Sequence, residues 1–200
     1  QGFVAGTNST TAQAVAQNFA DQPGYNLLTS IDLGFGRAVD NGTADSVQLR
    51  VWDADGPNDA PGSVLWQGSI PLTQIQTDIQ NQQETRVTFS SPLSIPSNFY
   101  IGMLINQGGS DSLALLSTPA GQSSPGRGYE RDGSSWQTMS QNWGQNIDLA
   151  IYPNVSSTDV VQDPNFNTDT LPGTTLQFTA QGPSDNQYLW EFGDGSAGTG

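Results

Sequence analysis

Apolar residues along this 200-residue chain come in short runs, and most of the runs alternate rather than recur at helical spacing. The clearest is "DSVQLRVWDAD", where Val47, Leu49 and Val51 fall on one face and Gln48, Arg50 and Trp52 on the other. A period of two marks a strand with two distinct faces. "ETRVTFSSPLSI" turns Val87 and Phe89 inward by the same rule. "NFYIGMLIN" (Asn98 to Asn106) is continuously apolar, which predicts a central strand buried on both faces. "AQAVAQNF" (Ala12 to Phe19), "YNLLTSIDLGFG" (Tyr25 to Gly36), "GSVLWQGSIPL" (Gly62 to Leu72), "DSLALLSTP", "GYERDGSSWQTM" and "NIDLAIYP" (Asn146 to Pro153) complete the strand set. One segment breaks the pattern: Leu72, Ile75 and Ile79 have helical spacing and predict one or two helical turns within Leu72 to Gln83.

Gly, Pro, Asn, Asp and Ser bound these runs, as strand-and-turn chains require. Eight or nine strands at this spacing predict an all-β, jelly-roll-type two-sheet β-sandwich over residues 1–153. The texture changes after Pro153. Residues 154–170 read as a linker with a short edge strand, and residues 171–200 as the start of a second sandwich. There "TTLQFTA" turns Leu176 and Phe178 inward, and "QYLWEF" places Tyr188, Trp190 and Phe192 on one face. Two strands cannot bury those aromatics, so this segment is expected to belong to a larger domain.

The stretch "LPGTTLQFTAQGPSDNQYLWEFGDGS" resembles the first half of a PKD domain, an immunoglobulin-like module of bacterial surface proteins and secreted hydrolases. The resemblance rests on Pro172-Gly173 and on Tyr188, Trp190, Phe192, Gly193, Asp194 and Gly195. The first 153 residues resemble an accessory β-sandwich of large secreted proteins from Bacteroidetes-type bacteria, through "SVQLRVWDADGPNDAPGSVLWQGSIPL", "FYIGMLIN" and "NIDLAIYP". Together the resemblances imply an extracellular accessory role and a partial PKD domain at the end. Two expectations follow for that partial domain: the sequence is a piece of a longer protein, or a neighbouring chain completes the module.

Composition narrows the chemistry. The chain has no Cys and no His, so thiol nucleophiles, Ser-His-Asp triads and imidazole-based zinc sites are all unavailable. No catalytic residue is assigned and the chain is read as a non-enzyme. Glu130 and Asp132 are the one carboxylate pair beside aromatics; they lie two apart on a presumed strand, with no second catalytic wall opposite. Net charge is −14, with no Lys; the cations are Arg37, Arg50, Arg86, Arg127 and Arg131. Such a surface repels nucleic acid and anionic membrane. The Gln1 start reads as a mature chain after signal-peptide removal, which places the protein outside the cell.

Two constellations remain. "DADGPNDAPG" gathers Asp53, Asp55, Asn58 and Asp59 within seven residues. It reads either as a calcium loop, carboxylates converging around a glycine turn, or as a polar hairpin loop bonded to its own backbone. Calcium is therefore the one cofactor considered. The second constellation is Tyr129, Trp136 and Trp143 beside Arg127, Glu130, Arg131 and Asp132. Exposed rings among planar polar groups form sugar platforms; the competing reading is packing at a sandwich edge. Two functions compete accordingly. One is a structural or adhesive module of a surface protein or filament, assembling with other subunits or with itself through edge strands such as Ala12 to Phe19. The other is a carbohydrate-binding accessory domain of a secreted hydrolase.

Overall fold

Val47, Leu49 and Val51 are all buried, and their alternation with Ser46, Gln48 and Arg50, which are exposed or half-buried, makes Ser46–Asp53 a strand with an inner row and an outer row. The same logic repeats along the chain. The computed structural model describes residues 5–6, 12–20, 24–42, 45–105, 111–157, 166–171, 175–180, 189–191 and 197–199, with side-chain environments described between 12 and 157. In chain order the elements of the first part are β1 (Ala5–Gly6), β2 (Ala14–Phe19), β3 (Leu27–Leu33), β4 (Phe35–Val39), β5 (Ser46–Asp53), β6 (Val64–Pro71) and α1 (Leu72–Gln80). Then follow β7 (Thr85–Ser94), β8 (Phe99–Leu104), β9 (Ser112–Leu115), β10 (Gly128–Asp132), β11 (Ser135–Thr138), α2 (Met139–Trp143) and β12 (Ile151–Ser156).

These strands form a six-stranded antiparallel sheet, β11-β10-β2-β8-β5-β6, and two three-stranded sheets, β12-β3-β7 and β1-β9-β4. One hydrophobic core joins them: Val15, Leu49, Val51, Ile101 and Met103 of the large sheet meet Leu28, Ile31, Leu33, Leu115 and Ile151 of the small ones. The chain is thus an all-β protein of β-sandwich type. The helix α1 runs on directly from β6 and places Leu72 and Ile75 in the same core; the chain leaves it where Gln82 takes a left-handed φ of 56°.

Three expectations change. The long strand expected from Tyr25 to Gly36 divides at Gly34, where a side chain would run into Ala150. Hydrogen bonds from Gly34 N to Ala150 O and from Leu116 N to Gly34 O stitch the two small sheets together at that break. The strand expected from Asn146 starts only at Ile151, because Asp148 to Ala150 turn inward to meet Leu116 to Thr118. Most consequentially, Ala12 to Phe19 is not an edge: β2 lies inside the large sheet between β10 and β8. Gln17 on this strand is buried, with its amide donating to Asp148 Oδ1 at 2.9 Å and accepting from Leu149 N at 2.8 Å.

Contacts within the chain divide it into residues 1–158 and residues 159–200. The second unit contains two antiparallel pairs: β13 (Phe166–Leu171) with β14 (Thr175–Ala180), and β15 (Leu189–Glu191) with β16 (Ala197–Thr199). Trp190 lies in β15, whereas Pro172, Gly173, Tyr188, Phe192, Gly193, Asp194 and Gly195 fall outside the described residues.

Candidate functional site

The large sheet has a second covered face. Val15, Leu49 and Ile101 point into the core, so the pleat turns their neighbours Ala16, Arg50, Tyr100 and Gly102 the other way. Register lays out this outer face in rows. Tyr129, Ala16, Gly102, Arg50 and Gln67 stand side by side across five strands. Trp136, Arg131, Ala14 and Leu104 form the next row, and Asn18, Tyr100, Trp52 and Val64 a third. The middle is small and the flanks are large. Ala14, Ala16 and Gly102 make a floor, and a Cβ on Gly102 would collide with the backbone of Val15 and Ala16.

Rings close over that floor. Trp52 and Trp136 meet edge to face with centroids 5.5 Å apart, and Tyr100 and Tyr129 do the same at 5.1 Å. Strands β5 and β11 are separated by three others, which on a flat sheet would hold them about 19 Å apart. The rings touch because the sheet coils, so this outer face is concave. Trp52 and Tyr100 are each only 2% exposed, while Tyr129 and Trp136 are half-buried and keep a free side.

The charge on this face is unlike that of the rest of the chain. Arg131 stacks on Trp136, its guanidinium carbon 5.6 Å from the ring centroid. The Nε atoms of Arg50 and Arg131 are both buried without a hydrogen-bond partner. Arg86 and Arg127 are by contrast paired with Asp32 and Asp148. None of the out-facing positions in the three rows carries Asp or Glu.

The acidic loop closes one end of this face. A short 3₁₀ turn, Pro57–Asp59, brings the carbonyl of Asp59 to the hydroxyl of Tyr100, which donates to it at 2.6 Å. Burial, with smaller contributions from Tyr129 and Asp59, pushes the Tyr100 hydroxyl well above the usual phenol range. Asp55 accepts from the Ser63 backbone N–H and hydroxyl, both at 2.6 Å, and these bonds hold its carboxyl below its ordinary value. Asp53 accepts from Ala54 N at 2.7 Å. Asn58 and Asp59 take left-handed φ angles of 57° and 58°. Asp53, Asp55, Asn58 and Asp59 thus share one loop. Among the described residues, no three acids come together in a group able to hold a metal ion.

The aromatic trio is split by the structure. Tyr129 and Trp136 share the concave face, but Trp143 does not. Glu130 stands opposite Val15, a core residue, and so points to the other side of β10. There it is buried, and its Oε1 accepts from the Trp143 indole N–H and from Asn142 Nδ2, both at 2.7 Å. The helix α2 that carries Trp143 starts with a reciprocal Thr138–Gln141 capping box and ends at a left-handed Gly144. Trp143 is 45% exposed. Asp132, on the same side as Glu130 by alternation, is exposed, so the pair does not flank a substrate space.

A separate cleft of about 590 Å³ opens where the small sheets divide, lined by Gly34, Glu84, Leu116, Thr118, Asp148 and Tyr152 among others. Asp148 is already engaged there, accepting from Gln17 and Ser123 and pairing in charge with Arg127.

The chain has no Cys or His, and among the described residues no group of acids could hold a metal ion; what the concave face presents is aromatic rings and guanidinium groups. No protein-family model matches the chain, and no curated protein matches it. Among solved structures it is similar to the cysteine protease and lectin-like domains of Cwp84, a surface layer associated protein of Clostridium difficile. That match has a TM-score of 0.49 and 10% identity, and covers 74% of this chain. It spans 33% of the length of that structure.

Sequence reasoning placed Tyr129 and Trp136 but missed Trp52, Tyr100 and Arg50 as their neighbours. One signal was legible: the alternation that puts Arg50 and Trp52 on the face away from Val51. What joins them to Trp136 is a strand order that no local pattern encodes.

Proposed function

We propose that this chain is a non-catalytic, extracellular adhesion module that binds glycan on the concave face of its large sheet. The observation that carries this reading is the stack of Arg131 on half-buried Trp136, beside Tyr129, on a curved face free of strand carboxylates. Half-open rings offer apolar faces to the C–H surfaces of sugar rings, and neighbouring side chains fix their orientation without loss of further rotamer freedom. A jelly-roll connection, export from a bacterium and a PKD-like module over 171–200 belong to the same proposal. Assembly by pairing at Ala12 to Phe19 does not, because β2 is interior. The test is retention on insoluble polysaccharides together with a glycan array, comparing the wild type with Trp136→Ala. Retention that the substitution abolishes supports the reading. No retention on any polysaccharide sinks it.

A further inference from the structure

We infer that the glycan taken by this face is acidic, a chain bearing carboxylate groups that Arg50 and Arg131 bind; the inference rests on the glycan reading above.

The argument starts from where the positive charge lies. The chain has five cations against 19 acids. Arg86 donates to Asp32 from Nε and a terminal nitrogen, at 2.6 and 2.8 Å, and Arg127 lies 3.3 Å from Asp148. Arg50 and Arg131 form no ion pair among the described residues. Both stand on the concave face, and both bury an Nε–H that nothing accepts. An unmet buried donor is costly, and a folded protein holds few of them. The covered Nε–H groups are out of a ligand's reach, but the terminal nitrogens of both half-buried guanidinium groups are not covered and form no ion pair among the described residues, so they are left to meet an acceptor that a ligand brings.

The shape of the face selects the acceptor. A guanidinium is a planar fork that pairs with a carboxylate through two parallel hydrogen bonds. Arg131 lies over the indole of Trp136, so stacking fixes its plane and leaves its terminal nitrogens to a ligand. Arg50 and Arg131 stand three strands apart, roughly 14 Å across a flat sheet and less on a coiled one. Between their strands lie Ala14, Ala16, Gly102 and Leu104 on β2 and β8, with the paired rings of Trp52 and Trp136 and of Tyr100 and Tyr129 packed against them. Two carboxylates on different sugars of one oligosaccharide fit this spacing better than a single ring does. The chain as a whole carries a net charge of −14, so acidic surface away from this face repels polyanions and disfavours their binding elsewhere.

The experiment measures binding of the whole chain to polygalacturonate and alginate, to the carboxyl-methylated form of each, to neutral mannan and β-glucan, and to polyglutamate. The wild type should bind at least one uronate polymer, and methylation should weaken that binding at least tenfold. Arg50→Gln and Arg131→Gln should each cost about tenfold, with Arg131→Lys recovering only part. Arg50→Gln should melt with the wild type, because its Nε–H has no partner to lose, and Arg131→Gln should melt only slightly lower, through loss of the stack on Trp136. Methylation removes the charge from the ligand alone, so that arm stands even where a variant fails to fold. Equal binding of the methylated polymers overturns the inference, as does polyglutamate binding as tightly as the uronates. Binding of neutral polymers but of no uronate overturns it while the glycan reading survives. No polysaccharide binding at all overturns both.

Discussion

Trp52 and Trp136 belong to strands at nearly opposite ends of one sheet, yet their rings meet edge to face at 5.5 Å. That contact is a measure of how far the sheet coils. The two residues have different exposure, and so different consequences. Trp52→Ala should cost about 3–5 kcal/mol in denaturant unfolding, as for a large ring removed from a closed interior. Trp136→Ala should cost clearly less, because that side chain is only partly buried, yet it should remove glycan retention. Equal losses of stability would mean that Trp136 is merely packed.

The hydroxyl of Tyr100 ties the acidic loop to the sheet through Asp59. Tyr100→Phe keeps the ring and removes one hydrogen bond, at a cost of about 1 kcal/mol. Hydrogen exchange should quicken at Ala60, whose amide closes the adjoining turn, and not in β8. Unchanged exchange in the loop would show that the tie does not hold it.

Both oxygens of Asp55 already accept from Ser63. Adding or chelating calcium should therefore leave the melting temperature unchanged. A rise with calcium that Asp55→Ala removes would reverse this and make the loop a metal site.

Asp32 links three strands: it accepts from Arg86 on β7 at 2.6 and 2.8 Å and from Asn154 on β12 at 2.9 Å. The Arg86 bonds, larger than the opposing effect of burial, hold its carboxyl below the ordinary value. A carboxyl depressed in the folded state stabilises above its unfolded pKa, and that stability is lost as pH falls through the folded value. Asp32→Asn should thus melt lower than the wild type at neutral pH, and the gap should close below about pH 4. A gap that widens on acidification would contradict this.

A methyl group on Gly102 would collide with the backbone of β2. Gly102→Ala should destabilise by about 1–3 kcal/mol and lower the melting temperature by several degrees. A neutral result in a thermal melt would mean that β2 and β8 can move apart freely.

How much of this was legible in the sequence follows from what is local. Alternation placed Val47, Leu49 and Val51 inside, and the unbroken apolar run at Phe99 to Leu104 correctly implied a strand covered on both faces. Helical spacing of Leu72, Ile75 and Ile79 found α1. Gln17 was not legible, since a glutamine in an alternating strand gives no sign that Asp148 and Leu149 will satisfy its amide from across the core. Nor was the division of Trp143 from Trp136. They are seven residues apart, but the turn into α2 carries Trp143 round the edge of the sheet. The interior place of β2 was missed for the same reason, because its neighbours β8 and β10 lie far along the chain.

Strand β2 serves two interiors. Val15 and Phe19 belong to the main core, while Ala14 and Ala16 carry the floor beneath the rings. The depth of the concave face is therefore set by two methyl groups that take no part in the main core. A smaller side chain at either position would let the rings settle lower, whereas a larger one would press on its neighbours, since both methyl groups are fully buried and Gly102 already packs against Ala16. The outer surface of the sheet is in this way shaped by residues that its main core does not use.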